Sequence, residues 1–210
     1  MKDLVILGGG VHAAEMVEIV GRINQDKKTW NLLGLIGRKN EDVGKLFNQT
    51  PVLGVFEKMP RFKRNVYFAA ANHNKLPERI SVPFSQLISL VDPSAFVSRT
   101  AVIGKGCVIY PGCFIGLQVK LGDFIFILSN SVINHDVVLE NKVLVNSGVT
   151  LAGGVHVGKN SYLGQACTIR ERLKIGRESL VGMGAVVIKN VPPHSVMIGN
   201  PAREMRKRER

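Results

Sequence analysis

The sequence has few aromatic residues, few cysteines and no long apolar run. Aromatic side chains make up 6% of the 210 residues, so any core must be built largely from aliphatic side chains. No stretch approaches the roughly 18 apolar residues that suggest a membrane-spanning helix. The first twenty residues carry Asp3, Glu15 and Glu18 and open with a strand-like run, unlike a signal peptide. We therefore expect a cytoplasmic protein without membrane insertion.

Cysteine usage argues against a disulfide scaffold and against a cysteine metal site. The chain has three cysteines and no CxxC pair, and disulfides are rare in a reducing compartment. We interpret Cys107, Cys113 and Cys167 as small core residues, because buried free cysteine packs as a small hydrophobe.

The formal charge of +12 admits two explanations. Nucleic acid binding is one, because a basic surface attracts phosphate backbones. However, the basic residues are spread along the chain and are not interleaved with aromatic residues. Small anionic substrates explain the charge equally well, and we expect no nucleic acid partner.

A six-residue repeat runs from Val91 to Pro192. Every sixth residue from Val91 to Val187 is aliphatic, the fifth position of each block is small or apolar, and glycine is frequent at the second. Neither strand alternation nor an α-helix has this period. Short strands joined by turns around a three-sided prism do, and hexapeptide repeats are typical of β-helices. Residues 18 apart should then stack directly above one another.

The region before the repeat predicts a small α/β domain. Lys2 to Gly10 reads as a buried strand ending in glycines, and His12 to Val20 reads as a helix. A glycine-rich turn between a strand and a helix can place a phosphate at the helix N-terminus, although a tight turn without a ligand remains an alternative. Strands at 32–36 and 66–71 complete a parallel, Rossmann-like arrangement.

Asn134-His135-Asp136 is the candidate reactive segment within the repeat. Histidine is the usual general base at neutral pH, and a carboxylate can fix its tautomer. A surface histidine at a turn is the alternative, and Asp136 can assist His135 only if the two residues lie at a corner. One coil later, Gly153 and Gly154 should lie above His135, where an open N–H could bind an oxyanion. We expect His156 to be an exposed residue without a role in the chemistry.

The hexads, together with VINHDVVLE, LAGGVHVG and MIGNPAR, resemble the left-handed β-helix acyltransferases. With VILGGGVHAAE and PVLG added, the whole chain is similar to the bacterial sugar O-/N-acetyltransferases. These act on UDP-linked 4-amino sugars and have sialic acid O-acetyltransferases and perosamine N-acetyltransferases as relatives. The resemblance implies a Rossmann-like domain over 1–90, a left-handed parallel β-helix over 91–203 and a basic tail over 204–210. It also implies a homotrimer that uses acetyl-CoA, needs no metal and takes a nucleotide-activated sugar in surface glycan synthesis.

The resemblance also assigns roles to individual residues. His135 would be the base, Asp136 would orient it, and the Gly153 N–H would bind the thioester oxygen. Acetyl-CoA would lie along the following residues of the repeat: Gly153, Gln165, Ala166, Met183 and Gly184. The sugar nucleotide would contact the following residues: Gly10, Val11, His12, Arg38, Asn72 and Asn134.

Three positions depart from the family pattern. Leu144 stands where the family commonly has a second histidine. Gly37 and Arg38 end the second strand, where an acidic residue would bind ribose hydroxyls, so NAD binding is disfavoured and Arg38 favours extra negative charge. Ala71-Asn72-His73 replaces a glycine-containing turn.

These departures keep other functions open. A sugar O-acetyltransferase of the sialic acid type is one alternative, and a catalytically weakened sugar-binding homologue is another. A γ-class carbonic anhydrase shares the β-helix but needs three converging histidines. The repeat contains only His135 and His156, and the two are not a whole number of coils apart, so we disfavour this alternative.

Overall fold

The computed structural model describes residues 1–71 and 82–208. The chain forms two compact units: Met1–Pro93 with Lys105–Cys107, and Ser94–Gly104 with Val108–Arg210. Each unit has its own core of buried hydrophobic side chains. The boundaries predicted at residues 90 and 203 stay predictions.

The first unit contains the predicted α/β elements. Its helix and strands are, in chain order, β1 (Lys2–Leu7), α1 (Val11–Asp26), β2 (Trp30–Gly37), β3 (Leu46–Phe47), β4 (Thr50–Val55), β5 (Tyr67–Ala70) and β6 (Leu90–Val91). Five strands form a sheet in the order β3-β4-β2-β1-β5. The pairs β1–β2, β1–β5 and β2–β4 are parallel, which confirms the predicted parallel sheet. Strand β4 was not predicted.

The core of this unit lies between the sheet and α1. Strand β1 is fully buried from Leu4 to Leu7, as expected for a central parallel strand covered on both faces. The helix buries one stripe that includes Ala13 and Met16. Its opposite side carries Arg22, whose guanidinium donates two hydrogen bonds to the buried carboxylate of Asp92, at 2.6 and 3.1 Å. This bidentate pair fixes α1 against the segment that follows β6.

The second unit is the predicted parallel β-helix. Its two-residue strands recur every six residues: β7 (Phe96–Val97), β8 (Val102–Ile103), β9 (Val108–Ile109), β10 (Phe114–Ile115), β11 (Lys120–Leu121), β12 (Phe126–Ile127), β13 (Val132–Ile133), β14 (Val138–Leu139), β15 (Leu144–Val145), β16 (Thr150–Leu151), β17 (His156–Val157), β18 (Tyr162–Leu163), β19 (Thr168–Ile169), β20 (Lys174–Ile175), β21 (Leu180–Val181) and β22 (Val186–Val187). Two longer strands follow: β23 (Ser195–Ile198) and β24 (Arg203–Lys207).

From β7 to β19, each repeat strand pairs with the strand three positions further along the chain, so the structure confirms the 18-residue coil. Three faces result. Face A contains β7, β10, β13, β16, β19 and β22, and face B contains β8, β11, β14, β17 and β20. Face C contains β9, β12, β15, β18 and β21. The second residue of nearly every strand is buried, as the aliphatic period requires.

The interior also accepts small polar and sulfur-containing side chains. Ser131 and Ser179 are fully buried, and their hydroxyls donate to the carbonyl oxygens of Asn146 and Pro192, at 2.8 and 2.9 Å. Buried hydroxyls with main-chain acceptors carry little desolvation cost. In both units the cysteines are free and buried, which confirms their interpretation as core residues.

The C-terminal segment covers the last coil on all three faces. Strand β23 pairs with β21, and β24 pairs antiparallel with β23. On face A, the Ala202 N–H donates to the Val186 carbonyl at 2.7 Å. On face B, the Val191 N–H donates to the Lys174 carbonyl at 2.9 Å. The segment predicted as a basic tail is therefore part of a sheet through Lys207, because the edge of β23 offers main-chain partners.

Within residues 1–71 and 82–208, no helix has the length and apolar character needed to cross a membrane.

Candidate functional site

His135 and Asp136 form the turn between β13 on face A and β14 on face B, a position that we call the A/B corner. Asp136 adopts a left-handed backbone conformation, with φ at 61°. This turns its side chain to the same side as the histidine, which successive strand residues could not achieve. The imidazole Nδ1 lies 2.8 Å from Asp136 Oδ2, and more than half of each side chain is exposed. An Nδ1–H that donates to this carboxylate leaves Nε2 with a lone pair.

Gly153 lies directly above His135 on the next coil. The Gly154 N–H donates to the His135 carbonyl at 2.9 Å, as the coil period requires. A Cβ on Gly153 would lie 2.5 Å from both Cε1 and Nε2 of the imidazole, so the ring occupies the space that a side chain would fill. Among the described residues, no main-chain carbonyl accepts the Gly153 N–H. The corner thus combines a carboxylate-bound imidazole with an open N–H donor.

Two further side chains flank this pair along the A/B corner. Leu117 lies one coil below, its carbonyl accepting the Asp136 N–H at 2.9 Å, and its side chain is largely exposed. Arg172 lies one coil above Gly154, and its Cγ would be 3.3 Å from a Cβ placed there. Along this corner, an apolar side chain therefore lies one coil below His135 and a cationic side chain lies two coils above it. Neither was singled out from the sequence, although the coil period places both at this corner.

Asn134 has an intramolecular partner. Its side-chain N–H donates to the Leu151 carbonyl at 2.8 Å. Asn146 makes the same bond to Leu163 at 2.7 Å, after a strand on face C. The same bond therefore occurs on two faces, where it gives a main-chain carbonyl of the next coil a side-chain donor. The predicted role of Asn134 in substrate binding stays a prediction.

Of the five predicted coenzyme residues, Gly153 lies at the A/B corner and the other four lie at a different corner. Gln165-Ala166 and Met183-Gly184 form turns between faces C and A, and the Gly184 N–H donates to the Gln165 carbonyl at 2.8 Å. Ala166 and Gly184 have positive φ, and a Cβ on Gly184 would meet nothing within 4 Å. The main chain is thus accessible along this C/A corner. Face A separates it from His135 and Gly153 of the same chain.

Leu144 lies on face C and is almost fully buried, so it presents no polar atom to a ligand. His156 lies on face B, where its Nε2 is 2.8 Å from Glu140 Oε1. The hydrogen bond with His156, followed by one from the Lys159 N–H, lowers the pKa of Glu140 below its ordinary value. This pair ties two coils together on face B. The sequence predicted an exposed His156 without a role in the chemistry, and the structure shows a partly exposed side chain with a carboxylate partner.

The first unit contains a cavity of about 340 Å³ at the carboxyl ends of β1 and β2. Its lining residues are Gly8, Gly9, Gly10, Leu35, Gly37, Arg38, Lys39, Asp42, Lys45, Leu46, Phe47 and Val52. The predicted substrate residues Gly10 and Arg38 are among them. Val11 and His12 begin α1 without lining the cavity, and His12 Nδ1 lies 3.2 Å from Glu15 Oε2. Asn72 lies outside the described residues.

The glycines shape this cavity. Gly8 has φ at 135°, and a Cβ there would lie 3.0 Å from Ala71 Cβ, so both backbone angle and packing require glycine. Gly10 precedes the first turn of α1, which carries no acidic residue. The N-terminal end of α1 at Gly10 and three cationic side chains from Arg38, Lys39 and Lys45 make the cavity suited to anions.

In the part of the chain that the structure describes, no three His, Cys, Asp or Glu side chains lie close enough to hold a metal ion.

The chain is similar to several proteins that are described as acyltransferases. No protein-family model matches the chain. It is 40% identical over 62 residues to a Staphylococcus aureus protein provisionally described as an acetyltransferase, a match that covers 30% of the chain and 31% of the relative. It is 32% identical over 102 residues to an acyl-[acyl-carrier-protein]–UDP-N-acetylglucosamine O-acyltransferase of Pseudomonas aeruginosa, covering 48% and 40%. The chain thus spans less than half the length of these curated relatives.

Solved structures are similar over nearly the whole chain. The acetyltransferase domain of PglB from Neisseria gonorrhoeae, in complex with acetyl coenzyme A, has a TM-score of 0.84 at 22% identity, covering 97% of this chain and 99% of that one. A histidine-to-alanine variant of GDP-perosamine N-acetyltransferase from Caulobacter crescentus, in complex with CoA and GDP-perosamine, has a TM-score of 0.85 at 24% identity, covering 99% and 98%. These similarities show that the chain has the fold of hexapeptide-repeat sugar acetyltransferases, with a left-handed β-helix.

Proposed function

We propose that the protein transfers an acetyl group from acetyl-CoA to the amino group of a nucleotide-linked amino sugar. The observation that carries this proposal is the A/B corner, where the His135 imidazole is bound by Asp136 and packs beneath Gly153. A base beside an N–H donor is the arrangement that acyl transfer to an amine requires.

The comparisons support the same class of reaction. The two curated relatives are described as an acetyltransferase and an O-acyltransferase. Of the similar structures, one was crystallised with acetyl coenzyme A and another with CoA and a GDP-linked amino sugar. From this fold we infer acetyl-CoA as the co-substrate of this chain, without a metal, and a nucleotide-activated sugar as its acceptor.

In the proposed reaction, the neutral amine of the sugar attacks the thioester carbonyl directly. A C–N bond forms, and the negative charge on the carbonyl oxygen is stabilised by the Gly153 N–H. The Nε2 atom of His135 takes the proton from the attacking nitrogen, and Asp136 stabilises the resulting imidazolium. Collapse of the intermediate breaks the C–S bond, and the thiolate of CoA receives the proton from His135. The products are the acetamido sugar and free CoA.

We propose that acetyl-CoA lies along the C/A corner, where the main chain near Gln165, Ala166, Met183 and Gly184 is accessible. In one chain this corner is separated from His135 by face A. A second copy could bring its own C/A corner against the A/B corner, so the complete site would form between subunits of a homotrimer. Light scattering of the purified protein tests this, because a monomeric mass alongside full activity would contradict it.

We propose that the cavity of the first unit binds the nucleotide. The helix N-terminus and the cations Arg38, Lys39 and Lys45 suit a diphosphate, and Leu35, Phe47 and Val52 provide an apolar wall for a base. Because sugar nucleotides and acetyl-CoA are cytoplasmic metabolites, we propose that the protein acts in the cytoplasm, before a surface glycan is assembled.

The test is release of CoA. Purified protein is mixed with acetyl-CoA and a panel of nucleotide amino sugars, including UDP- and GDP-linked 4-amino sugars, and free CoA is followed with a thiol reagent. We expect release that depends on the amino sugar. Release only with hydroxyl acceptors would replace this proposal with the O-acetyltransferase alternative. Ligand binding without turnover on any acceptor would instead favour the catalytically weakened homologue.

A further inference from the structure

The end of β2 lacks the carboxylate that would bind ribose hydroxyls in a dinucleotide fold. The strand ends at Gly37 and is followed by Arg38, so the sequence places a cation where an acceptor is needed. Ribose hydroxyls are donors as well as acceptors, and a carboxylate provides two oxygens that only accept.

The structure brings a different carboxylate to the cavity. After Arg38 the chain makes a short 3-10 turn over Asn40–Asp42, in which the Asp42 N–H donates to the Lys39 carbonyl at 3.1 Å. After this turn, Asp42 lines the cavity together with the glycines that precede α1. Among the described residues that line the cavity, Asp42 is the one carboxylate.

Given the proposed nucleotide-binding function, on which this inference rests, we propose that Asp42 binds the ribose hydroxyls of the nucleotide. The other lining side chains are glycine, apolar or cationic, so they supply phosphate binding and base packing but no anionic acceptor. Asp42 thereby replaces the missing carboxylate at the end of β2. It makes the pocket specific for ribonucleotides.

Asp42 also has a cationic neighbour. Lys45 Nζ lies 3.5 Å from Asp42 Oδ1, and both side chains are substantially exposed. If Asp42 only neutralised Lys45, removing the carboxylate would free a cation for phosphate and nucleotide binding would tighten. If Asp42 binds ribose, removing it weakens binding. The two roles therefore predict opposite changes in nucleotide affinity when the carboxylate is removed.

Calorimetric titration of the full chain measures this affinity and so distinguishes the two roles. The probes are UDP, GDP and their 2′-deoxy counterparts, and the variant is Asp42→Ala. Glu41→Ala is the matched control, because Glu41 belongs to the same turn, has its own lysine partner at 3.4 Å and does not line the cavity. Thermal melts of both variants verify that each is folded.

We expect the wild type to prefer the ribonucleotide, and Asp42→Ala to weaken its binding by about 10- to 100-fold, the usual effect of losing hydrogen bonds to a charged group. Binding of the 2′-deoxy nucleotide should change much less, so the preference disappears. Glu41→Ala removes only the partner of Lys39, so it should keep the preference and bind no more weakly than the wild type. Unchanged or tighter ribonucleotide binding in Asp42→Ala overturns the proposed role of Asp42 but not the proposed nucleotide pocket. If the wild type binds neither UDP nor GDP, the nucleotide pocket itself is refuted, and this role with it.

Discussion

Replacing Gly153 by alanine tests the arrangement of the A/B corner with one methyl group. The new Cβ would lie 2.5 Å from Cε1 and Nε2 of His135, whereas ordinary contacts begin at 3.4 Å. The imidazole must therefore retreat by about 1 Å, a displacement that can cost about 10²-fold in kcat when the group is catalytic. Gly153 does not have a positive φ, so the backbone itself tolerates alanine.

The same substitution should leave stability almost unchanged. The imidazole is more than half exposed and can rotate into solvent. The clash is therefore relieved by displacement of the ring and does not require unfolding. We expect a change within about 0.5 kcal/mol, as for other surface substitutions. Gly21→Ala on α1 is a suitable control for turnover, because a Cβ there meets nothing within 4 Å.

A double-mutant cycle with His135→Ala then isolates the contact. If the methyl group acts through the imidazole, Gly153→Ala should lower kcat in the wild type and have no further effect once the ring is gone. The coupling energy would be about 2.7 kcal/mol, the equivalent of a 10²-fold change. Equal losses in both backgrounds, or full turnover of the single variant, would refute the catalytic placement of His135.

Three further results are expected. His135→Ala should lower kcat by about 10²- to 10⁴-fold, the range for a general base, and unchanged turnover would remove it from the mechanism. Thiol titration at pH 8 should detect no cysteine in the folded protein and three after denaturation, because all three are buried and burial raises the pKa of Cys167 to about 12. Rapid labelling of the folded protein would contradict this. Glu140→Gln should lower the free energy of unfolding at neutral pH by under about 1 kcal/mol, because its ion pair with His156 is partly exposed. Thermal melts of the two proteins would show this as a slightly lower melting temperature. Because folding depresses the pKa of Glu140, this difference is present above its ordinary pKa of 4.5 and should vanish as the pH falls through the lower folded value; a difference that persists in acid would indicate another cause.

The repeat was predictable because its period is imposed by geometry. An aliphatic residue at every sixth position can be buried only in a coil of fixed length, so strand positions and the stacking of Gly153 on His135 follow from counting. Counting would also have shown that Gln165 is not a whole number of coils from His135. The sequence spacing therefore already implied that the two sets of residues lie at different corners of the prism.

Other features depend on contacts that no local pattern encodes. Strand β4 contains Pro51 and Gly54, which resemble turn residues, and it forms because β2 offers a free edge. Strand β24 is almost entirely charged, and it forms because β23 supplies main-chain partners. The position of Asp42 depends on one turn of 3-10 helix, whose direction the sequence does not specify.

The covered last coil has a consequence for how copies of the protein can associate. A bare end of a β-helix exposes strands whose main-chain groups could pair with the next molecule, and repeated pairing would build a fibre. Here Val191, Ala202 and strand β23 occupy the three edges, and β24 adds an outer strand of exposed, mostly charged side chains. Lengthwise strand-to-strand polymerisation from this end is therefore blocked.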